Sequence, residues 1–114
     1  MSRKPEQRIA EIKLYCDKIL EFTSGMNPEQ LASNELVQDA VLRNIEIIGE
    51  ATKHLPDDAR ARMPGIEWNK IASIPDWLWQ DHFRIDPEIV WDLIENEVPE
   101  LLRTRQAFKD ENQP

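Results

Sequence analysis

The segment from Glu35 to about His54 constrains the fold more than any other stretch of this sequence. Val37, Ala40, Val41, Asn44, Ile45, Ile48, Ala51 and Leu55 recur at three- and four-residue spacing, so they share one face of a helix. Such a face needs other elements to pack against. No stretch of the chain alternates with the two-residue period of a strand, so the partners must be helices. Ser33 or Asn34 is placed to cap the start, where a short polar side chain accepts from otherwise unpaired backbone N–H groups. Gly49 inside the helix costs about 1 kcal/mol against alanine, a cost that close helix–helix contact would explain. Asn44 on the apolar side is expected to be buried and satisfied structurally, and His54 suits the negative end of the helix.

The helices that surround it can be read in order. Ile9, Ile12, Cys16, Ile19 and Leu20 form a stripe on a helix from about Gln7 to Thr23, ended by Ser24-Gly25. Asn27-Pro28-Glu29 is a cap, a first-turn proline and a carboxylate at the positive helix end, and starts a short turn through Ala32. Leu55-Pro56-Asp57-Asp58 breaks the central helix and begins another short turn to Met63, and Pro64-Gly65 turns the chain again. Trp68, Ile71, Ala72 and Ile74 are helically spaced. Pro75 is tolerated in a first turn but not in a helix interior, so Ser73 is expected to cap a fresh helix, with a bend nearby. Asp86-Pro87-Glu88 opens the last helix, whose stripe of Val90, Trp91, Ile94, Val98, Leu101 and Leu102 is expected to kink at Pro99. After Arg105 the chain turns polar, and about 107–114 reads as a frayed tail. Residues 1–114 are therefore expected to form one all-α domain, a bundle of four main helices with short helical turns between them.

Composition narrows the function. There is no apolar run near the roughly 20 residues of a membrane span, and Met1-Ser-Arg-Lys-Pro lacks the apolar core of a signal peptide. A single cysteine excludes an internal disulfide and fits a reducing cytoplasm. On its apolar stripe, Cys16 is expected in the core. The net charge of −8 argues against generic binding of DNA or RNA, which depends on cation–phosphate contacts. No cofactor is implied: three glycines cannot build a phosphate loop, and one cysteine with two distant histidines has no metal-ligand spacing. Asp57-Asp58 and Glu95/Glu97 lack the histidine companion of a bundle metal site and are expected on solvated faces.

The one dense cluster of donors and aromatics is Trp77, Trp79, Gln80, Asp81, His82, Phe83 and Arg84. It is either a candidate site or an aromatic packing seam.

Several stretches resemble a known family. Leu42-Arg-Asn-Ile-Glu-Ile-Ile-Gly-Glu-Ala51, Leu55-Pro-Asp-Asp and Ile66-Glu-Trp-Asn-Lys-Ile71 are similar to the HepT-like branch of the HEPN domains. So are Phe83-Arg-Ile-Asp86, Ile89-Val-Trp91 and Ile94-Glu-Asn-Glu-Val-Pro-Glu-Leu101, in order and with matching spacing over nearly the whole chain. The resemblance implies an all-α, antiparallel four- to five-helix HEPN-like bundle that forms a homodimer, with a metal-independent endoribonuclease site at the dimer seam. It also implies a cytoplasmic toxin whose partner is a minimal nucleotidyltransferase antitoxin. In some such systems that partner transfers AMP to a tyrosine beside the site.

The family's motif is arginine, a polar residue, three variable residues, histidine, one residue, tyrosine. Histidine serves as general acid or base on the ribose 2′-hydroxyl, and arginine stabilises charge on the phosphate. The matching positions here are Pro75, Asp76, Gln80 and His82, so proline replaces arginine, glutamine replaces histidine and His82 replaces tyrosine. No arginine stands at the needed distance before His82 or His54. Glutamine cannot exchange a proton near neutral pH, and proline brings no charge. Asp76 and Asp81 would also repel phosphate. Tyr15, the only tyrosine, lies on the first helix, so the AMP-accepting position is missing too.

Three readings are open at this point. The chain is a catalytically silent member that still dimerises and binds its partner. Alternatively, it is an active ribonuclease using His82 with Arg84 or Arg43 as a substitute cation, in which case RNA is its substrate and Arg84 its candidate RNA contact. The third is a plain interaction module whose tryptophans form a binding patch.

Overall fold

The computed structural model describes residues 4–78 and 86–103, with the side chains of 75–78 outside the description. Helix α1 spans Pro5–Phe22 and starts earlier than its apolar stripe implied, because Pro5 suits a first turn. Lys4 donates its backbone N–H to Gln7 Oε1 at 2.9 Å, closing the start. Ile9, Ile12, Cys16 and Ile19 are buried as expected, and Leu20 is partly buried against them. Gly25 ends the connection at φ 76°, a conformation that a side chain would strain.

Helix α2, Pro28–Ala32, begins at a reciprocal cap: Gln30 N–H donates to Asn27 Oδ1 at 2.8 Å, and Asn27 N–H donates to Gln30 Oε1 at 2.9 Å. Helix α3, Glu35–Lys53, is capped by Asn34, whose Oδ1 accepts from Val37 N–H at 3.1 Å. Ser33 instead donates its hydroxyl to the Gln30 carbonyl. Gln38 Nε2 reaches back to the carbonyls of Leu31 and Ala32 at 2.7 and 3.1 Å, satisfying the open end of α2.

α3 is the centre of the bundle, packed against α1 on one side and against α5 (Trp68–Leu78) on another. Its buried face is accordingly wider than one stripe. Beside Val41, Asn44, Ile45, Ile48 and Ala51 it includes Leu42, Gly49 and Thr52. Each large aliphatic side chain so buried stabilises the fold by roughly 1.5–3 kcal/mol. Asn44 donates Nδ2 to the Ala40 carbonyl at 2.7 Å, so its polar head is satisfied by its own helix. His54 is the exposed C-cap residue, with Nε2 3.4 Å from Glu50 Oε1.

Helix α4, Asp57–Ala61, holds the far end of α3 in place. Its Arg60 donates Nη2 to the Thr52 carbonyl at 2.7 Å and Nη1 to Asn69 Oδ1 on α5 at 3.3 Å. Trp68, buried at the start of α5, donates Nε1 to the Met63 carbonyl at 3.1 Å.

Of the two interior prolines, Pro75 departs from expectation. α5 runs unbroken from Trp68 to Leu78 through Pro75, so no new helix starts at Ser73. The Ser73 hydroxyl donates to the Lys70 carbonyl at 2.7 Å and caps nothing. Burial of Ile71 and Ile74 favours carrying the helix on, because a bend would turn one of them outward. Helix α6, Pro87–Asp92, is capped by Asp86, whose Oδ1 accepts from Glu88 N–H at 2.9 Å. It continues through a π-helical turn, Leu93–Glu97, into residues 98–103. The expected disturbance at Pro99 is thus a widened turn before it. Val98 N–H donates to the Leu93 carbonyl, five residues back, in a segment where Pro99 has no N–H to keep the four-residue ladder.

The described residues contain no strand, in keeping with an all-α bundle. The expected tail at 107–114 lies outside the described residues.

Two outcomes follow from this packing. Arg60→Ala removes the ties from α4 to the end of α3 and to α5, and should lower stability by about 1.5–3 kcal/mol in urea unfolding. Cys16 is fully buried, and burial, reinforced by Asp17 and opposed by Lys13, pushes its thiol up to about 12 from 9.0. The folded state keeps this proton where the unfolded chain loses it. Its contribution to stability is therefore complete below pH 9.0 and lost as pH rises toward 12. The thiol should resist a disulfide reagent in native buffer and react fully in denaturant.

Candidate functional site

The candidate site begins on α5. Trp68 and the buried Ile71 and Ile74 fix this helix against the core. Pro75 and Asp76 follow within the same helix, well past its first turn. Gln80, His82 and Arg84 lie outside the described residues, as does Asp81. The structure therefore supports the first half of the motif segment as continuous helix. It does not bring the remaining candidates into a described constellation.

The nearest described cation on α5 is Lys70. Its Nζ donates to Glu97 Oε1 at 2.9 Å and lies 3.9 Å from Glu67 Oε2. The hydrogen bond that Lys70 donates to Glu97, then the charge of Glu97, hold the ammonium above the ordinary lysine range, with smaller help from Glu67 and Asp92. Such a lysine stays protonated at neutral pH and is no general base. Glu97 itself departs from the solvated face expected for Glu95/Glu97: its side chain is only 12% exposed, because it reaches back to α5 across the π-helical turn. Asp57, Asp58 and Glu95 are exposed as expected. No helical period reveals the Lys70–Glu97 tie, which joins residues far apart in sequence.

Beside Lys70, a surface cavity of about 500 Å³ is lined by residues that include Arg60, Trp68 and Asn69, with Asp57 and Glu67 also present. Arg60 is already engaged with Thr52 and Asn69. The mixed charge and committed cation make this a poor phosphate seat. Arg43, the other substitute cation considered, is exposed on α3, with Nη1 3.9 Å from Glu46 Oε2. Tyr15 is partly buried on α1. α3 packs between α1 and α5, so Tyr15 does not stand in for the motif tyrosine. Among the described residues, no three histidines, cysteines or acids gather as a metal site. No described helix is long and apolar enough to cross a membrane.

A family model described as "Ribonuclease HepT-like" matches residues 12–108. The chain is 34% identical over 108 residues to a protein of Methanocaldococcus jannaschii named as a candidate RNase, covering 90% of this chain and 89% of that one. It is 32% identical over 101 residues to a protein of Thermococcus cleftensis named a probable ribonuclease HepT, covering 89% and 92%. A further M. jannaschii protein, also named as a candidate RNase, is 36% identical over 93 residues, covering 81% and 77%. No solved structure matches significantly.

Pro75→Ala should stabilise the fold by about 1–3 kcal/mol, since alanine returns the backbone N–H that a helix interior uses and removes the ring. A raised urea midpoint at unchanged slope is the expected result.

Proposed function

The chain belongs to the HepT-like ribonuclease family, and from that premise we propose that it is a member whose ribonuclease chemistry is lost. It acts through self-association and through a protein partner, a minimal nucleotidyltransferase, on the toxin side of a toxin–antitoxin pair. One observation carries this reading: the positions matching the family's arginine, histidine and tyrosine hold Pro75, Gln80 and His82.

The chemical argument runs through each position. Cleavage at a ribose 2′-hydroxyl needs a group that takes a proton near neutral pH, and an amide cannot do so. It needs positive charge held against the phosphate as charge develops, and Pro75 supplies none. Because α5 continues through Pro75, the substitution has been accommodated inside a regular helix. The scaffold around it is intact, with Ile71 and Ile74 buried and Lys70 joined to Glu97. Loss of the chemistry with retention of the packing is what a protein selected for binding would show. The absent motif tyrosine also removes the AMP acceptor, so the nucleotidyltransferase would act here as a binding partner.

A second reading is favoured by the ribonuclease names of the relatives. Here His82 is the proton-transfer group, and Arg84 or the exposed Arg43 is the cation. Arg84 follows His82 by two residues, which places the two on different faces if that segment is helical.

The experiment is expression and RNA cleavage with four proteins: wild type, His82→Ala, Pro75→Arg/Gln80→His, and that double variant with His82→Tyr. The first reading expects no cleavage by wild type, and toxicity with RNA cleavage once the motif is restored. Wild-type cleavage that His82→Ala abolishes overturns it in favour of the second. Salt-resistant co-elution of the wild type with a nucleotidyltransferase is the expected binding result.

A further inference from the structure

Four large apolar side chains are exposed among the described residues: Leu14 and Phe22 on α1, Leu36 on α3 and Ile89 on α6. Leu36 is the most open, at 80%. It lies in the first turn of α3, as Ile89 lies in the first turn of α6. α2 brings these two helix starts to one corner of the bundle. It packs on α6, and Gln38 in the first turn of α3 donates to the carbonyls of Leu31 and Ala32 at its end. Leu31 and Val90 are fully buried, so the exposure of Leu36 and Ile89 is no failure of local packing.

The charge of the chain is concentrated on the same elements. Residues 24–42 contain three acids and no lysine or arginine, and residues 85–102 contain six acids and none. The remainder holds 13 acids, the 22 of the whole chain less these nine, against all 14 lysines and arginines. The net −8 therefore belongs to α2, the start of α3 and the last helix, and the rest is close to neutral.

Each of the two apolar side chains has acids beside it. Glu35 and Asp39 flank Leu36, and Asp86 and Asp92 stand three residues either side of Ile89. All four are exposed. Arg43, one turn beyond Asp39, turns instead to Glu46 at 3.9 Å. Asp86 and Asp92 accept from Glu88 N–H and from the Asn96 amide, which leaves their charge in place. Such a surface repels nucleic-acid phosphates and anionic lipid headgroups. Its complement is a protein segment with lysines or arginines around an apolar stripe, the pattern of a basic amphipathic helix.

We propose that the corner formed by α2, the first turn of α3 and α6 is a docking surface for a basic amphipathic helix of a protein partner. Leu36 and Ile89 take its apolar stripe, and the flanking carboxylates take its cations. This rests on the reading that the chain acts through a protein partner, and adds the surface and the chemistry that hold it.

The probe is a fluorescent amphipathic peptide of leucine and lysine, about 18 residues long so that it can hold a helix, followed by anisotropy as protein is added. A peptide of the same composition in scrambled order is the control for charge alone. Wild type should bind the amphipathic peptide about tenfold or more tighter than the scrambled one. Leu36→Ser/Ile89→Ser should remove that advantage, and Leu14→Ser/Phe22→Ser on α1 should leave it. If Ile89→Ser costs the fold, read by circular dichroism, Leu36→Ser alone and Asp39→Lys decide instead, and each should weaken binding. Equal binding of the two peptides, or an advantage that the Leu36 and Ile89 substitutions do not move, overturns the proposal. A nucleotidyltransferase held as tightly by Leu36→Ser/Ile89→Ser as by wild type overturns the surface and leaves the partner reading standing. Peptide binding as expected, with no nucleotidyltransferase held by wild type, overturns that partner and leaves the surface standing.

Discussion

The burial of α3 on two sides is the constraint on which the rest of the structure depends. α1 and α5 both pack on it, and α2 and α6 add smaller contacts. A helix placed this way cannot have a solvent face as wide as an ordinary amphipathic helix has. Leu42, Gly49 and Thr52 are therefore buried in addition to the expected stripe. Thr52 shows how polar groups are admitted: its hydroxyl donates to the Ile48 carbonyl at 2.8 Å, so nothing is left unpaired. The ends of α3 are closed from outside, by Asn34 at the start and by Arg60 from α4 near the finish.

The prolines show how one residue type is used in distinct ways. At Pro28 and Pro87 the missing N–H falls where no partner exists, and a preceding Asn27 or Asp86 completes the cap. Before Pro99 the ladder shifts to a five-residue step, as the Val98 to Leu93 bond shows. At Pro75 the helix carries on. That last case matters most for function, because the position matching a phosphate-binding arginine has become a residue with neither charge nor donor. Trp68, Ile71 and Ile74 hold α5 to the core from the turns that precede position 75.

The proposed loss of chemistry rests on residue identities read from the sequence, since Gln80 and His82 lie outside the described residues. Glutamine at 80 and proline at 75 limit the chemistry whatever the geometry. What was not legible were the contacts between distant residues. Lys70 with Glu97, and Arg60 with Thr52 and Asn69, follow from how α5, α6 and α4 meet. Spacing along one helix carries no record of them.

By itself the sequence determined the helical class, most helix starts, the principal apolar stripes and the absence of the motif's reactive groups. Those follow from short-range rules: backbone capping, the 3.6-residue period and the acidity of each side chain. Only the tertiary structure decided that α3 is buried on two sides, that α5 passes through Pro75 and that the helix takes a π-helical turn before Pro99. In each case local preference was overruled or selected by burial summed over several large side chains, which outweighs a single lost hydrogen bond.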